Sequence, residues 1–320
     1  MEKEKRILIL AGGGGHTGFA YALAQRLKYK ASMTFLIPEG DTLSQKRLNK
    51  FGKVDHIPKP RGAKTPTGEF AYNLARAFAV SMKKVSSDFD AVVSTGSNFC
   101  ITPAFTAFSK RIKIINIEGD VRFTRASLTA RILQPFSAIT ALQWPEQKKL
   151  LKGTVVGPLF HRPEIQPWNG GYILVTGGTL GHKLLFDAIN KSKLKNIMLQ
   201  TGEIDPEPYR MRHPEWNIIR YSLNFPELLA GAELIITHFG STALEAVVYQ
   251  KPTVMVLNPE WTRTVGKTDA KIFAKKVGAT LISEVNLEKL IVAIETARKN
   301  KTPELRDGAK VLADMILDLR

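Results

Sequence analysis

Short apolar runs that end in glycine-bearing turns recur along this chain. Ile7-Leu8-Ile9-Leu10-Ala11 is the first; Met33-Thr34-Phe35-Leu36-Ile37, Ala91-Val92-Val93-Ser94 and residues 113–117 and 138–142 follow, with a shorter run at 54–57. Strands apolar on both sides predict burial between two layers of helices, as in a parallel sheet. Between them, Phe19, Leu23 and Leu27 keep helical spacing. So do Phe70, Leu74, Phe78 and Met82, which predicts a helix over 69–85 with one apolar stripe packed on the sheet. The pattern lapses from Gly157 to Gly171, which holds three prolines and three glycines. It then restarts with runs at 172–176, 195–200, 234–237 and 253–257, and helices are expected over 243–248, 269–277 and 309–319. Alternation of this kind, twice over, predicts an α/β chain of two Rossmann-like doubly wound domains. Their expected bounds are 1–158 and 172–305, joined by a linker at 159–171, with residues 306–320 packing back on the first domain.

The turns carry the candidate chemistry. Gly12-Gly13-Gly14-Gly15-His16-Thr17-Gly18 stands between the first strand and the first helix. Glycines there let backbone N–H groups approach an anion closely, and the helix dipole helps. His16 falls in the first helical turn, where the dipole favours its neutral, proton-accepting form. Thr176-Gly177-Gly178-Thr179-Leu180-Gly181-His182 repeats the arrangement with one residue more, and Thr237-His238-Phe239-Gly240-Ser241-Thr242 is a third such turn. Glu118 ends the strand at 113–117 and so reaches the sheet edge at which α/β proteins bind ligands. It is read either as a catalytic carboxylate or as a helix cap.

Composition narrows the choice. The chain has 320 residues, is 44% hydrophobic and has a mean hydropathy of −0.10, the profile of a globular protein. No apolar run is long enough for a membrane-spanning helix, and the charged start at Met1–Arg6 does not read as a secretory leader. One cysteine, Cys100, excludes an internal disulfide framework, and neither a metal-ligand cluster nor an Asp-x-Asp sequence is expected. The net charge is +17 and uneven. Residues 1–160 hold 25 Lys and Arg against 11 Asp and Glu, a net of +14; the rest holds 21 against 18, a net of +3. The first half therefore meets something anionic: a membrane surface, a phosphorylated substrate or nucleic acid. A basic loop from Pro58 to Gly68 (Lys59, Arg61, Lys64), with Arg76, Lys83 and Lys84 beyond it, suits an anionic membrane surface. No recognition helix, zinc-finger spacing or aromatic ribonucleoprotein motif supports nucleic acid. A dinucleotide-dependent oxidoreductase is disfavoured, because no turn keeps Gly-x-Gly-x-x-Gly with a placed ribose-binding acid.

Read together, the turns resemble those of a two-domain (GT-B) glycosyltransferase. Gly13-Gly14-Gly15-His16-Thr17-Gly18, Ile117-Glu118, Ser127-Leu128-Thr129 and Gln143-Trp144-Pro145-Glu146 resemble the acceptor subunit of the eukaryotic enzyme that adds the second N-acetylglucosamine to dolichyl-diphosphate-GlcNAc. Val175-Thr176-Gly177-Gly178-Thr179, the run from Thr237 to Glu245 and Gln250-Lys251-Pro252 resemble its donor subunit. The bacterial MurG enzymes are similar over both halves. The resemblance implies an inverting, metal-independent transfer from a UDP-sugar, UDP-GlcNAc foremost, to a lipid-diphosphate-linked sugar. No cofactor is implied, and the enzyme is expected on the cytoplasmic face of the membrane as a peripheral protein, alone or as a homo-oligomer. It implies His16 and Glu118 as catalytic residues, either of them the base. Gly13, Gly14, Gly15, Thr17 and Gly96 would hold the acceptor; Gly177, Gly178, Thr179, His238, Gly240, Ser241, Thr242 and Glu245 would hold the donor. Glucuronosyl or other hexosyl transfer to a lipid-linked sugar is the alternative. Thr268-Asp269-Ala270 departs from the family, which carries His-Gln or Asp-Gln there.

Overall fold

The structure is a computed structural model that describes residues 4–60, 67–259 and 265–319. Arg61 and Lys64 of the basic loop lie outside the described residues. The chain divides into two compact units, residues 1–161 with 306–320, and residues 162–305.

In the first unit the elements run β1 (Lys5–Leu10), α1 (Gly15–Leu27), β2 (Ala31–Pro38), α2 (Thr42–Leu48), β3 (Lys53–Ile57), α3 (Thr67–Lys84), β4 (Ala91–Ser94), α4 (Ile101–Ser109), β5 (Lys113–Ile117), α5 (Leu128–Leu133), β6 (Ile139–Leu142) and β7 (Thr154–Val155). The second unit holds β8 (Tyr172–Thr176), α6 (Lys183–Ile189), β9 (Ile197–Gln200), α7 (Glu207–Arg212), β10 (Asn217–Ile219), α8 (Phe225–Gly231), β11 (Ala232–His238), α9 (Ser241–Val248), β12 (Thr253–Val256), α10 (Lys267–Val277), β13 (Thr280–Ile282) and α11 (Leu287–Lys299). The last helix, α12 (Gly308–Leu317), returns to the first unit.

Both sheets are parallel throughout, ordered β3-β2-β1-β4-β5-β6-β7 and β10-β9-β8-β11-β12-β13. Each sheet therefore reverses its winding once, between β1 and β4 in the first and between β8 and β11 in the second. The loops that leave those strands part to opposite faces, and the gap between them is where doubly wound sheets bind ligands. The apolar runs are apolar because both sheet faces are covered. Ile7, Ile9 and Ala11 pack with Phe19, Leu23 and Leu27 of α1 on one face, and Leu8 and Leu10 pack with Phe99, Ala104 and Ala107 on the other. Ala309, Leu312, Ala313 and Ile316 of α12 complete the first of these clusters. The Arg26 guanidinium, almost wholly buried, pairs with Asp307 at 3.1 Å and fixes the start of α12.

The expected stripe on α3 is only partly right. Its fully buried positions are Ala77 and Ser81, whereas Phe78 is 43% exposed, Met82 41% and Tyr72 69%. Small residues let α3 lie close to α4, and the larger apolar groups are rotated outward.

Candidate active site

In the first unit the winding reversal brings the glycine turn after β1 against the turn after β4. Gly12 is closed in by Ser97, which caps the short turn of helix before α4. α1 starts at Gly15, so His16 sits in its first turn, half-buried, with Gly96 beside its ring. His16 Nδ1 lies 2.6 Å from the Thr95 carbonyl oxygen. A carbonyl only accepts, so Nδ1 carries the proton, and a neutral ring then keeps its lone pair on Nε2. Burial holds the imidazole pKa below the ordinary 6.5; the Thr95 bond opposes this, and the charges of Lys59 and Arg122 add to the lowering. The neutral ring thus has a fixed tautomer and lies in the field of two cations.

Glu118 is differently placed. It is fully buried, and both carboxylate oxygens accept backbone N–H groups, from Gly119 at 2.7 Å and Ser127 at 2.8 Å. Burial raises its pKa, and the Gly119, Ser127 and Arg122 interactions oppose the rise. It clasps the loop 119–127, whose far end, Ser127, caps α5 by accepting from Ala130 N–H at 3.1 Å. The Gln143–Gln147 segment holds the same loop. Gln143 Nε2 donates to Glu118 O at 2.8 Å, Trp144 Nε1 to Asp120 O at 2.7 Å, and Gln147 Nε2 to Gly119 O at 2.7 Å and Arg122 O at 3.0 Å. Trp144 is a buried wall. Thr17 also faces inward, its hydroxyl bonded to Ser44 at 2.6 Å. Gly13 and Gly14 form the turn itself and Gly15 opens α1, with Gly14 and Gly15 exposed.

The second unit repeats the plan at its own reversal. The turn after β8 contains Gly177, Gly178 and exposed Thr179; His238 ends β11 and Gly240 lies in the turn after it, with Ser241 and Thr242 opening α9. The half-buried His238 ring fills the space between the turns. A Cβ at Gly178 would stand 2.8 Å from its Cε1, and one at Gly240 2.7 Å from its Nε2, and the positive φ of Gly178, 69°, makes glycine the residue for that turn. Burial and the nearby His182 pull the His238 pKa down to about 4, so the ring is neutral near pH 7. Thr176 Oγ1 accepts from Gly178 N–H at 3.1 Å and from Gln200 Nε2 at 3.2 Å, a relay that aims the first turn. Tyr221 closes it from outside by donating to Thr179 O at 3.2 Å. Glu245 is half-buried on α9. Asp269, in the place where the resemblance departs, is buried and accepts from Gly266 N–H at 3.0 Å ahead of α10.

Thr95, Ser97, Arg122, Gln200 and Tyr221 are absent from the sequence-derived set. Thr95 alone left a signal there, as the residue before Gly96 at a strand end. One expectation is corrected by the chain itself: Asp88-Phe89-Asp90 is an Asp-x-Asp sequence. It precedes β4, at the edge of the sheet opposite the turns. Asp90 accepts from Arg6 N–H at 2.7 Å and Asp88 pairs with the Arg6 guanidinium at 3.2 Å, so it belongs to the scaffold.

Two parallel sheets with glycine turns at both winding reversals define an α/β fold of two Rossmann-like domains, the architecture of GT-B glycosyltransferases. Residues 7–159 match the family described as oligosaccharide biosynthesis protein Alg14 like, and residues 172–315 match the glycosyltransferase family 28 C-terminal domain. The chain is a glycosyltransferase whose first half matches the Alg14-like family and whose second half matches the family 28 C-terminal domain. It is 25% identical over 312 residues to a UDP-N-acetylglucosamine–N-acetylmuramyl-(pentapeptide) pyrophosphoryl-undecaprenol N-acetylglucosamine transferase of Trichodesmium erythraeum, covering 89% of this chain and 81% of that one. Its first half is 26% identical over 160 residues to the UDP-N-acetylglucosamine transferase subunit ALG14 of Yarrowia lipolytica, covering 44% of this chain and 74% of that one. In fold it is similar to MurG of Acinetobacter baumannii, with a TM-score of 0.67 at 18% identity over 99% of this chain and 100% of that one. A UDP-GlcNAc 2-epimerase of Neisseria meningitidis is similar in fold too, with a TM-score of 0.65 at 14% identity over 98% of each chain.

Proposed function

We propose that the chain moves N-acetylglucosamine from UDP-GlcNAc onto a lipid-diphosphate-linked GlcNAc with inversion, as a single-chain counterpart of the two-subunit eukaryotic enzyme. The observation that carries this reading is the His16–Thr95 bond, which presents a neutral Nε2 beside a glycine turn in the Alg14-like half. A fold shared with an epimerase does not choose a reaction, whereas a fixed base in the acceptor half favours transfer to a hydroxyl. In the proposed step Nε2 takes the proton of the acceptor hydroxyl as its oxygen attacks the anomeric carbon. The bond from that carbon to the diphosphate oxygen breaks, and UDP leaves with the electron pair. Backbone N–H groups of Gly177–Thr179 and Gly240–Thr242 meet the charge that develops, so no metal ion is needed. His238 and Glu245 complete the donor set, Glu245 toward the ribose. Lys59 and Arg122, the two cations felt by His16, receive the acceptor's diphosphate, with Gly13–Gly15 and Gly96 shaping its bed. Glu118 serves catalysis by holding Arg122 and its loop in place.

A lipid-linked acceptor stays in its bilayer, so the enzyme works at the cytoplasmic membrane surface as a peripheral protein. Support comes from the charge of the first half and the outward Tyr72, Phe78 and Met82. Arg76 and Lys84 are already paired, with Glu39 at 3.1 Å and with Asp55, which leaves Lys59 and Lys83 among the exposed cations of the expected patch. The test is a panel of UDP-sugars offered with a short-chain lipid-diphosphate-GlcNAc in EDTA, with products read by mass. One added N-acetylhexosamine from UDP-GlcNAc is expected. A glucuronosyl or hexosyl product selects the alternative donor, and strict dependence on Mg²⁺ or Mn²⁺ overturns the mechanism.

A further inference from the structure

His182 has no place in the chemistry above, yet it is 1% exposed in the turn that leaves β8. Its Nδ1 accepts from Leu185 N–H at 3.4 Å, and its Nε2 lies 3.3 Å from the Leu257 carbonyl oxygen. An N–H on one side and a carbonyl on the other fix the tautomer with the proton on Nε2. Burial pulls the pKa down to about 4, so the ring is neutral near pH 7 and able to make both bonds at once. Leu257 follows β12, and β11 lies between β8 and β12 in the sheet. One imidazole therefore spans the end of β11, joining the two strand ends that flank His238, and it is near enough to His238 to lower that ring's pKa.

We propose that His182 is a positioning residue of the donor site, a strut that keeps the Gly177–Gly181 turn in register with β12 so that its amides stay aimed at the nucleotide diphosphate. The inference rests on the nucleotide-sugar reading of this unit. A simple helix cap is the competing account, and chemistry separates the two. Asparagine is an excellent N-cap, so His182→Asn keeps the bond to Leu185 N–H, but its side chain ends too short of Leu257. Alanine loses both.

The experiment compares wild type, His182→Asn and His182→Ala in steady-state kinetics, UDP binding by calorimetry and thermal melting. Misaimed groups cost about tenfold to a hundredfold, so UDP-GlcNAc KM and the UDP dissociation constant should rise at least tenfold in both variants. The acceptor KM should hold, kcat should fall alongside because the same amides meet the charge of the leaving diphosphate, and the His182→Asn melting temperature should stay near wild type. A wild-type donor KM in His182→Asn reduces the residue to a cap and overturns the proposal, as does a loss confined to kcat. Failure of the wild type itself to bind UDP would instead bring down the functional reading, before any variant is compared.

Discussion

His16 owes its candidate role to one carbonyl oxygen. Without the Thr95 bond the imidazole is free to carry its proton on either nitrogen; with it, the nitrogen left without a proton in the neutral ring is Nε2. His16→Ala should lower turnover by about 10²-fold or more, the scale of a lost general base, while leaving the melting temperature near wild type. The pH profile has a sign fixed by the lowered pKa. The base form is the unprotonated one, so kcat/KM should fall as pH drops through the folded-state value, and that acid limb should lie below pH 6.5. An inflection at or above 6.5 that disappears in His16→Ala would contradict the described environment. Glu118→Gln should behave in the opposite way. Its new amide N–H₂ must face the N–H of Gly119 or Ser127, an unmet donor that costs roughly 1–3 kcal/mol. It should melt earlier than wild type, and the loop 119–127 should become open to protease.

At the scale of elements, the buried strands were legible because parallel pairing leaves both faces apolar over several residues. β10 and β13 were not, since each is a three-residue edge strand too short to show a period. The short helices α2, α7 and α8 are likewise too brief to show one, whereas α11 places Leu290, Ala293, Ile294 and Ala297 at helical spacing and does carry the signal of a helix. The glycine turns were legible one at a time. Their meeting depends on strand order, so the Thr95 carbonyl beneath His16 and the His238 ring between Gly178 and Gly240 had no trace in either turn alone. The same packing gives a test of the first turn. A Cβ at Gly12 would fall 2.2 Å from Ser97 Cβ and 2.5 Å from its Oγ, but 3.7 Å from its Cα. Gly12→Ala should therefore destabilise by about 1–3 kcal/mol, the usual cost of overpacking, and Ser97→Gly in the same chain should recover part of it. Additive losses in denaturant melts would show that the two turns do not touch. The outward row of α3 is tested by vesicles. Wild type should sediment with anionic vesicles at low salt and release at high salt, and Tyr72→Ser/Phe78→Ser/Met82→Ser should bind more weakly. Equal sedimentation of the triple variant would remove the helix from membrane contact.

Among the described residues of the whole chain, no helix is long and apolar enough to cross a membrane. Each unit has its own sheet and its own core, but they are not built alike in sequence. The second is continuous, whereas the first borrows α12 from the far side of it. α12 covers α1 with Leu312 and Ile316, and Asp307 supplies the partner of the Arg26 guanidinium. A chain ending at residue 305 should keep the second unit folded and lose cooperative melting of the first, with hydrogen exchange reporting the two separately. Uniform protection in both units after that truncation would make α12 an ornament. On the ribosome the same feature sets a schedule. The half that emerges first has an uncovered apolar face, and Asp307 has yet to reach the Arg26 guanidinium, until residues 306–317 have been made, roughly 150 residues of translation later, which at about 5–20 residues per second is tens of seconds at the slow end. The half translated second is free to close before it. The Alg14-like half is thus the last to be finished, and its apolar face waits exposed until the polypeptide comes round to seal it.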